Sequence, residues 1–277
     1  MTKILVTGHE GVIASNLIKK LTNCEIIIDS INGKRIDLQN NDEVMKIEPV
    51  DTVIHLGGKT EKGLEWKEYF ENNIIGTLNI LKYCIERKIK KIIFVSSYVY
   101  GNPKYLPIDE QHPIDPHNLY TKSKFLAEEL CKKFSEMHDL NVIVLRPFNI
   151  FAKTMNKDNL ISNLITSINT KKIVTITNRS SKRDFLYIDD FIEIILKIKD
   201  HDLKFEIFNV GSGISFSFDE IIQTIEKNTS IQLNLEYKKD DESFIQDIKA
   251  NSTKIKKMLN WQPRLTFEEG LQKLLRI

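Results

Sequence analysis

Short apolar runs alternate with longer amphipathic stretches through the first half of the chain. Ile4-Leu5-Val6, Glu25-Ile26-Ile27-Ile28, Thr52-Val53-Ile54, Ile92-Ile93-Phe94-Val95 and Val142-Ile143-Val144-Leu145 are nearly continuous in β-branched or large apolar residues. Strands buried on both faces require that composition. Between them, apolar positions recur at the helical period over Ala14–Leu21, Tyr69–Arg87 and Ser123–His138. Strands that alternate with helices need right-handed crossovers, so the pattern predicts an α/β fold on a parallel, doubly wound sheet.

The pattern loosens after about Phe151. It predicts a helix over Asn159–Asn169, a polar stretch over Asn178–Arg183, a helix opened by Asp189 and Asp190, and a buried strand over Phe205–Val210 that ends in Gly211-Ser212-Gly213. The tail from Ile255 to Leu275 reads as helix interrupted at Pro263. No repeat, low-complexity segment or long linker divides the chain. Residues 1–150 with about 185–213 are therefore expected to form one domain. Residues about 151–184 and 214–277 should form a small, discontinuous C-terminal lobe.

Composition narrows the function classes. A 41% hydrophobic fraction in 277 residues is enough for a sizeable core. The net charge of +2, with basic and acidic residues interspersed, supplies no polybasic stripe, so no nucleic-acid partner is expected. Cys24, Cys84 and Cys131 are odd in number and lack metal-ligand spacing, which predicts free thiols in a reducing compartment and no metal site. The first strand begins at Lys3 and leaves no room for a leader, and no apolar run reaches the ~18 residues of a membrane span. A cytoplasmic protein without a membrane association is the expectation.

Candidate chemistry begins at Thr7-Gly8-His9-Glu10-Gly11-Val12-Ile13-Ala14, between the first strand and first helix. Gly8 lets the chain turn off the strand. Gly11 lets a pyrophosphate approach the helix N-terminus, and Ala14 is small enough for close helix–sheet packing. Glycines this close also serve turns that bind nothing. Here the strand before, the helix after, and Asp29 at the end of the second strand together favour a dinucleotide. Asp29 suits a ribose diol and repels a 2′-phosphate, which favours NAD, although Lys34 and Arg35 nearby are able to accommodate a phosphate.

Tyr120 and Lys124 are four residues apart and share a helix face. An ammonium beside a phenol favours the phenolate, which then takes a proton from a sugar hydroxyl as hydride leaves the same carbon. Upstream, Ser96 and Ser97 end an apolar strand, where parallel sheets bind ligands; either hydroxyl can bond the reacting oxygen.

Taken together, the chain resembles the extended short-chain dehydrogenase/reductases, in the branch of NAD-dependent nucleotide-sugar epimerases and dehydratases. The resemblance rests on the glycine loop, Asp29, Asp37-Leu38, His55-Leu56-Gly57-Gly58, Asn73 with Gly76-Thr77, Ser96-Ser97 with Val99-Tyr100-Gly101, and Tyr120 with Lys124. Arg146-Pro147-Phe148-Asn149, Arg183-Asp184-Phe185 with Asp189-Asp190, and Trp261-Gln262-Pro263 extend it over nearly the full length.

The resemblance implies a Rossmann-type fold whose first domain binds NAD and whose lobe binds a nucleotide-diphosphate sugar. By resemblance, Gly8, Gly11, Val12, Ile13, Asp29, Asp37, Leu38, Leu56, Gly57, Gly58, Asn73, Ser96, Tyr120 and Lys124 would contact NAD, with Asp37 and Leu38 flanking the adenine. Tyr120, Lys124 and Ser97 would be catalytic. Ser97, Asn149 and Arg183 would hold the substrate, Arg183 at its diphosphate. The helices Tyr69–Arg87 and Ser123–His138 would pair into a homodimer.

Four departures from the family pattern stand out. Ala14 replaces the last loop glycine, and the segment after the strand is one residue short, so alignment from its two ends selects Ser97 or Ser96; Ser97 is preferred here. Tyr98 and Val99 follow it where sugar 4,6-dehydratases carry Asp-Glu, which disfavours dehydration. Asp240-Asp241-Glu242 lies where many relatives place an arginine. The expected activity is C4 epimerisation through a 4-keto sugar. The alternatives are a 4-keto-6-deoxysugar reductase using NAD(P)H and a non-catalytic NAD sensor of the same fold.

Overall fold

A computed structural model describes residues 1–61, 63–153, 160–240 and 245–275. The chain divides into two compact units: Met1–Val99, Ile114–Pro147 and Ile192–Phe208 in the first, and Tyr100–Pro113, Phe148–Phe191 and Asn209–Ile277 in the second.

The first unit holds β1 (Thr2–Thr7), α1 (Val12–Ile18), β2 (Cys24–Ile28), β3 (Thr52–His55), α2 (Trp66–Tyr69), α3 (Gly76–Glu86), β4 (Lys91–Val95), α4 (Leu119–Met137) and β5 (Asn141–Pro147). β6 (Phe205–Val210) completes a six-stranded sheet of order β2-β1-β3-β4-β5-β6. β1 through β5 pair in parallel. The bonds Val142 N–H to Lys204 O and Phe148 N–H to Val210 O keep one register, so β6 runs parallel too. All five predicted strands are present, each within two residues of its predicted bounds.

Alternation along the strands shows why those segments are apolar throughout. Leu5, Val53, Ile92, Phe94, Val142 and Val144 pack with Ile80, Leu81 and Cys84 of α3 and with Ala127 and Cys131 of α4. The intervening Ile4, Val6, Ile54, Ile93 and Ile143 are equally buried, so both sheet faces are covered. The chain leaves β1 for β2 on one side and returns through β3 on the other. The gap between the ends of β1 and β3 is the switch point where such sheets take ligands.

Three helical expectations shift. The first helix starts at Val12 and ends at Ile18 rather than running to Leu21. The Tyr69–Arg87 helix begins earlier, at Trp66, and is interrupted by a π-helical turn over Phe70–Ile75 before α3. Periodicity missed the interruption because one widened turn barely displaces the apolar stripe. α4 starts at Leu119, earlier than Ser123, because Asn118 caps it: Asn118 Oδ1 accepts the Thr121 N–H at 2.8 Å and Thr121 Oγ1 accepts the Asn118 N–H at 3.3 Å.

In the second unit, Lys182–Tyr187 pairs in parallel with Asn149–Phe151 and with Asp247–Ile248, and antiparallel with Ser215–Ser217. Lys182 and Arg183, read in sequence as the end of a polar loop, therefore open a strand. Phe151, Phe185, Phe216 and Phe267 stack at its core. Tyr100–Pro113 clusters here rather than with the first 150 residues, because Ile108 exchanges backbone bonds with Lys249 and Asn251. A helix over Leu160–Thr170 matches the expected one; Asn159, its predicted first residue, lies outside the described residues. The tail forms helices Thr253–Leu259 and Phe267–Leu275 on either side of Pro263. Among the described residues, no helix is long and apolar enough to cross a membrane, and no group of side chains is placed to hold a metal ion.

Candidate active site

The loops after β1 and β3 touch backbone to backbone. Gly8 has φ +70°, and a Cβ there would lie 2.9 Å from the Gly57 Cα, so only glycine allows both the turn and the approach. Gly11 N–H bonds Gly8 O at 2.8 Å and Gly11 opens α1 with no side-chain cap. With no acidic residue in that first turn, the N–H groups of Val12 and Ile13 remain suited to an anion such as a pyrophosphate. Leu38 packs over Gly57, and Asp37 is exposed with its carboxylate accepting the Gln39 N–H at 3.0 Å.

Asp29 is fully buried and already bonded within the loop. Its oxygens accept the Gly8 N–H at 2.9 Å, the His9 N–H at 3.2 Å, and a short bond from His9 Nδ1. The carboxylate therefore fixes the glycine loop as well as being the candidate ribose acceptor. Sequence reasoning gave His9 no role; its position next to Gly8 was the available signal.

A second chain of bonds starts at His55, buried at the end of β3. Thr77 Oγ1 donates to Asn73 O at 2.6 Å, so it accepts from His55 Nε2 at 3.0 Å. His55 Nδ1 then accepts the Thr7 hydroxyl at 2.7 Å, which frees the Thr7 oxygen for the N–H groups of Leu56 and Gly57 at 3.2 and 3.0 Å. His55 is thus neutral. Burial, with the Lys124 charge adding to it, pushes its pKa down to about 3.

Asn73, buried in the π-helical turn, accepts the Lys59 N–H at 2.7 Å and donates to Lys59 O at 3.1 Å and to Ser123 Oγ at 2.8 Å. A Cβ at Gly58 would lie 2.7 Å from Asn73 Oδ1, and Gly58 has φ +150°. The glycine there serves this contact. Thr7, Thr77 and Ser123 received no role from sequence; they are small polar residues that acquire one only through their buried partners.

Tyr120 and Lys124 stand one turn apart on α4, with the Ser97 hydroxyl, just beyond β4, near enough to Tyr120 to favour its ionised form. Ser96 Oγ, by contrast, is buried without a partner. Lys124 is 5% exposed, and its Nζ lies 4.3 Å from the centroid of the Phe94 ring. Burial pushes the Lys124 pKa down to about 8, with Cys131 and Glu128 working in the other direction. Burial also raises the Tyr120 phenol, and the Ser97 hydroxyl opposes that rise. The sequence predicts that Lys124 lowers the phenol; burial is the largest influence on it and raises it instead.

Glu128, a turn beyond Lys124, accepts two bonds of 3.1 Å from Arg146 Nε, and both side chains are buried. In the second unit, Asn149 Nδ2 donates to Asp184 O at 3.0 Å. Arg183 donates to Lys182 O at 2.8 Å and Ile245 O at 2.7 Å. Asn149 is tied to the backbone of the neighbouring strand, and Arg183 to the backbone of Lys182 and Ile245. Asp240 accepts the Asn178 N–H at 2.6 Å, while Asp241 and Glu242 lie outside the described residues.

Comparison with known proteins gives this geometry a family. The sequence profile of the NAD dependent epimerase/dehydratase family matches residues 4–211. The chain belongs to that family. Its members are enzymes and NAD is their cofactor. A UDP-glucose 4-epimerase of Halalkalibacterium halodurans is 27% identical over 94% of this chain and 85% of its own. UDP-glucuronic acid decarboxylase 5 of Arabidopsis thaliana is also 27% identical, over 97% of this chain and 87% of its own. Equal similarity to two reactions places this epimerase/dehydratase family member in the family without selecting its chemistry. The fold is shared with a crystal structure of UDP-glucose 4-epimerase from Thermotoga maritima, with TM-score 0.90, 22% identity, and coverage of 99% of this chain and 98% of that one. The sheet is accordingly of the Rossmann type.

Proposed function

We propose that the protein is a nucleotide-sugar C4 epimerase that works through a transient 4-keto sugar. The Ser97 hydroxyl beside Tyr120, with Lys124 one turn along, carries this reading. When bound, NAD supplies a reversible acceptor for the hydrogen on C4. Tyr120 takes the proton of the sugar 4-hydroxyl and returns it after the keto sugar has turned over. Ser97 bonds the same oxygen and steadies the charge that develops on it. Lys124 favours the phenolate and holds the nicotinamide ribose.

Gly8, Gly11, Val12 and Ile13 cradle the pyrophosphate, Asp29 takes the adenosine ribose, and Asp37 and Leu38 flank the adenine. Leu56, Gly57, Gly58, Asn73 and Ser96 line the remainder of the NAD site in the first unit. Asn149 and Arg183 of the second unit hold the substrate diphosphate, for which a guanidinium fork is well shaped. Tyr98 and Val99, both buried, follow Ser97, so no carboxylate stands there to eliminate water.

Two further readings belong here. Trp66, Phe70 and Leu126 leave apolar surface exposed on α2, the π-helical turn and α4, which supports a homodimer through these helices; a monomer mass in solution overturns it. Free Cys24, Cys84 and Cys131 support a cytoplasmic location.

The deciding experiment incubates the purified protein with UDP-glucose or UDP-galactose and follows both sugars by NMR and the nicotinamide absorbance band. Interconversion without net change in added reduced cofactor supports the epimerase. Stoichiometric loss of reduced cofactor with a 4-keto-6-deoxysugar substrate identifies a reductase instead. Tyr120→Phe should still bind NAD and lose roughly a hundredfold or more in turnover.

A further inference from the structure

We propose that His9 is a gate on the adenosine-ribose subsite: its ring bonds the Asp29 carboxylate at the place that the ribose diol must take. The inference rests on the reading of Asp29 as the ribose acceptor given above. Asp29 has no exposed surface, and His9 Nδ1 is the side-chain donor bonded to it. A carboxylate only accepts, so Nδ1 carries the proton in this bond. The ring is 18% exposed, at the rim of the site rather than in its core.

A ribose hydroxyl is a donor of the same kind as this imidazole N–H. It cannot reach a carboxylate without exposed surface, so the ring must rotate away for the diol to bind. The Gly8 and His9 backbone N–H groups meanwhile keep the carboxylate in position, because they belong to the loop and not to the ring. Binding at this subsite is therefore an exchange of donors on a pre-positioned acceptor. The imidazole bond keeps the buried charge satisfied, and breaking it is subtracted from cofactor affinity.

Removing the ring should therefore tighten cofactor binding. Calorimetric titration of NAD into the wild-type protein, His9→Ala and Asp29→Asn tests this, together with spectra of 15N-histidine-labelled wild type. The expected results are NAD binding about tenfold tighter in His9→Ala, and a shifted His9 ring resonance on adding NAD or ADP-ribose but not nicotinamide mononucleotide, which lacks the adenosine half. Unchanged or weaker NAD binding by His9→Ala, or a His9 resonance that NAD leaves in place, overturns the gate while leaving the epimerase reading intact. Undiminished NAD binding by Asp29→Asn overturns the underlying assignment of Asp29, and makes the His9–Asp29 pair a loop fastening only.

Discussion

Asn73 donates from Nδ2 to Ser123 Oγ across 2.8 Å, and that bond fastens the π-helical turn to the turn that carries Tyr120. Ser123 Oγ in turn donates to Tyr120 O at 2.7 Å. Asn73 Oδ1 accepts the Lys59 N–H, and Nδ2 donates also to Lys59 O, next to the glycines after β3. One amide thus relates the height of the phenol to the floor of the proposed cofactor site. Asn73→Ala should leave the Lys59 backbone and the buried Ser123 hydroxyl without this partner. The expected cost is about 3 kcal/mol in urea unfolding, with a fall in turnover larger than any rise in KM.

His55 should make stability depend on pH. Its folded pKa, about 3, lies below the ordinary histidine value of 6.5, so between these values the unfolded chain binds the extra proton. The contribution is complete above about pH 6.5 and is lost as pH falls towards 3. It amounts to a few kcal/mol. Urea midpoints measured from pH 7 down to pH 4 should fall more steeply in wild type than in His55→Gln, which retains a donor and an acceptor but does not titrate.

Lys124 is expected to be held at a cost to stability. Its pKa of about 8 against 10.5 means that its buried charge opposes folding at neutral pH, and this penalty eases as pH rises from 8 towards 10.5. Lys124→Met should therefore raise stability by about 2 kcal/mol at pH 7 while abolishing turnover. A denaturation midpoint equal to or below that of wild type would contradict this.

Glu128 and Arg146 form a buried pair whose members depend on each other. Glu128→Gln removes the negative charge beside a guanidinium that water does not reach, and about 3 kcal/mol of stability should go with it. Because Glu128 also helps Lys124 keep its proton, the alkaline limb of the pH–rate profile should move to lower pH in the variant. A purely structural role for Glu128 would leave that limb in place.

The strands were legible because burial on both faces forces an unbroken apolar run, as in Ile92–Val95, that is too short for a buried helix. Helix ends were less legible. Asn118 captures the first turn of α4 through a capping box that periodicity does not register. The π-helical turn is invisible to periodicity because one widened turn barely displaces the apolar stripe. The sequence pointed to Tyr120, Lys124, Ser97 and Asp29 by residue type and spacing. It was silent on His9 and His55, whose bonds reach 20 and 48 residues along the chain.

Local rules therefore determined the alternation of elements, the glycine turn and the candidate chemical groups, since each depends on residues within a few turns of one another. Tertiary structure alone decided that the Ser97 hydroxyl stands beside Tyr120 while Ser96 Oγ is left without a partner. It also decided that burial raises the phenol and that Asp29 is already bonded by its own loop. These outcomes depend on how much water remains around a group and on which distant atoms share its space, and neither is encoded in any short stretch of chain.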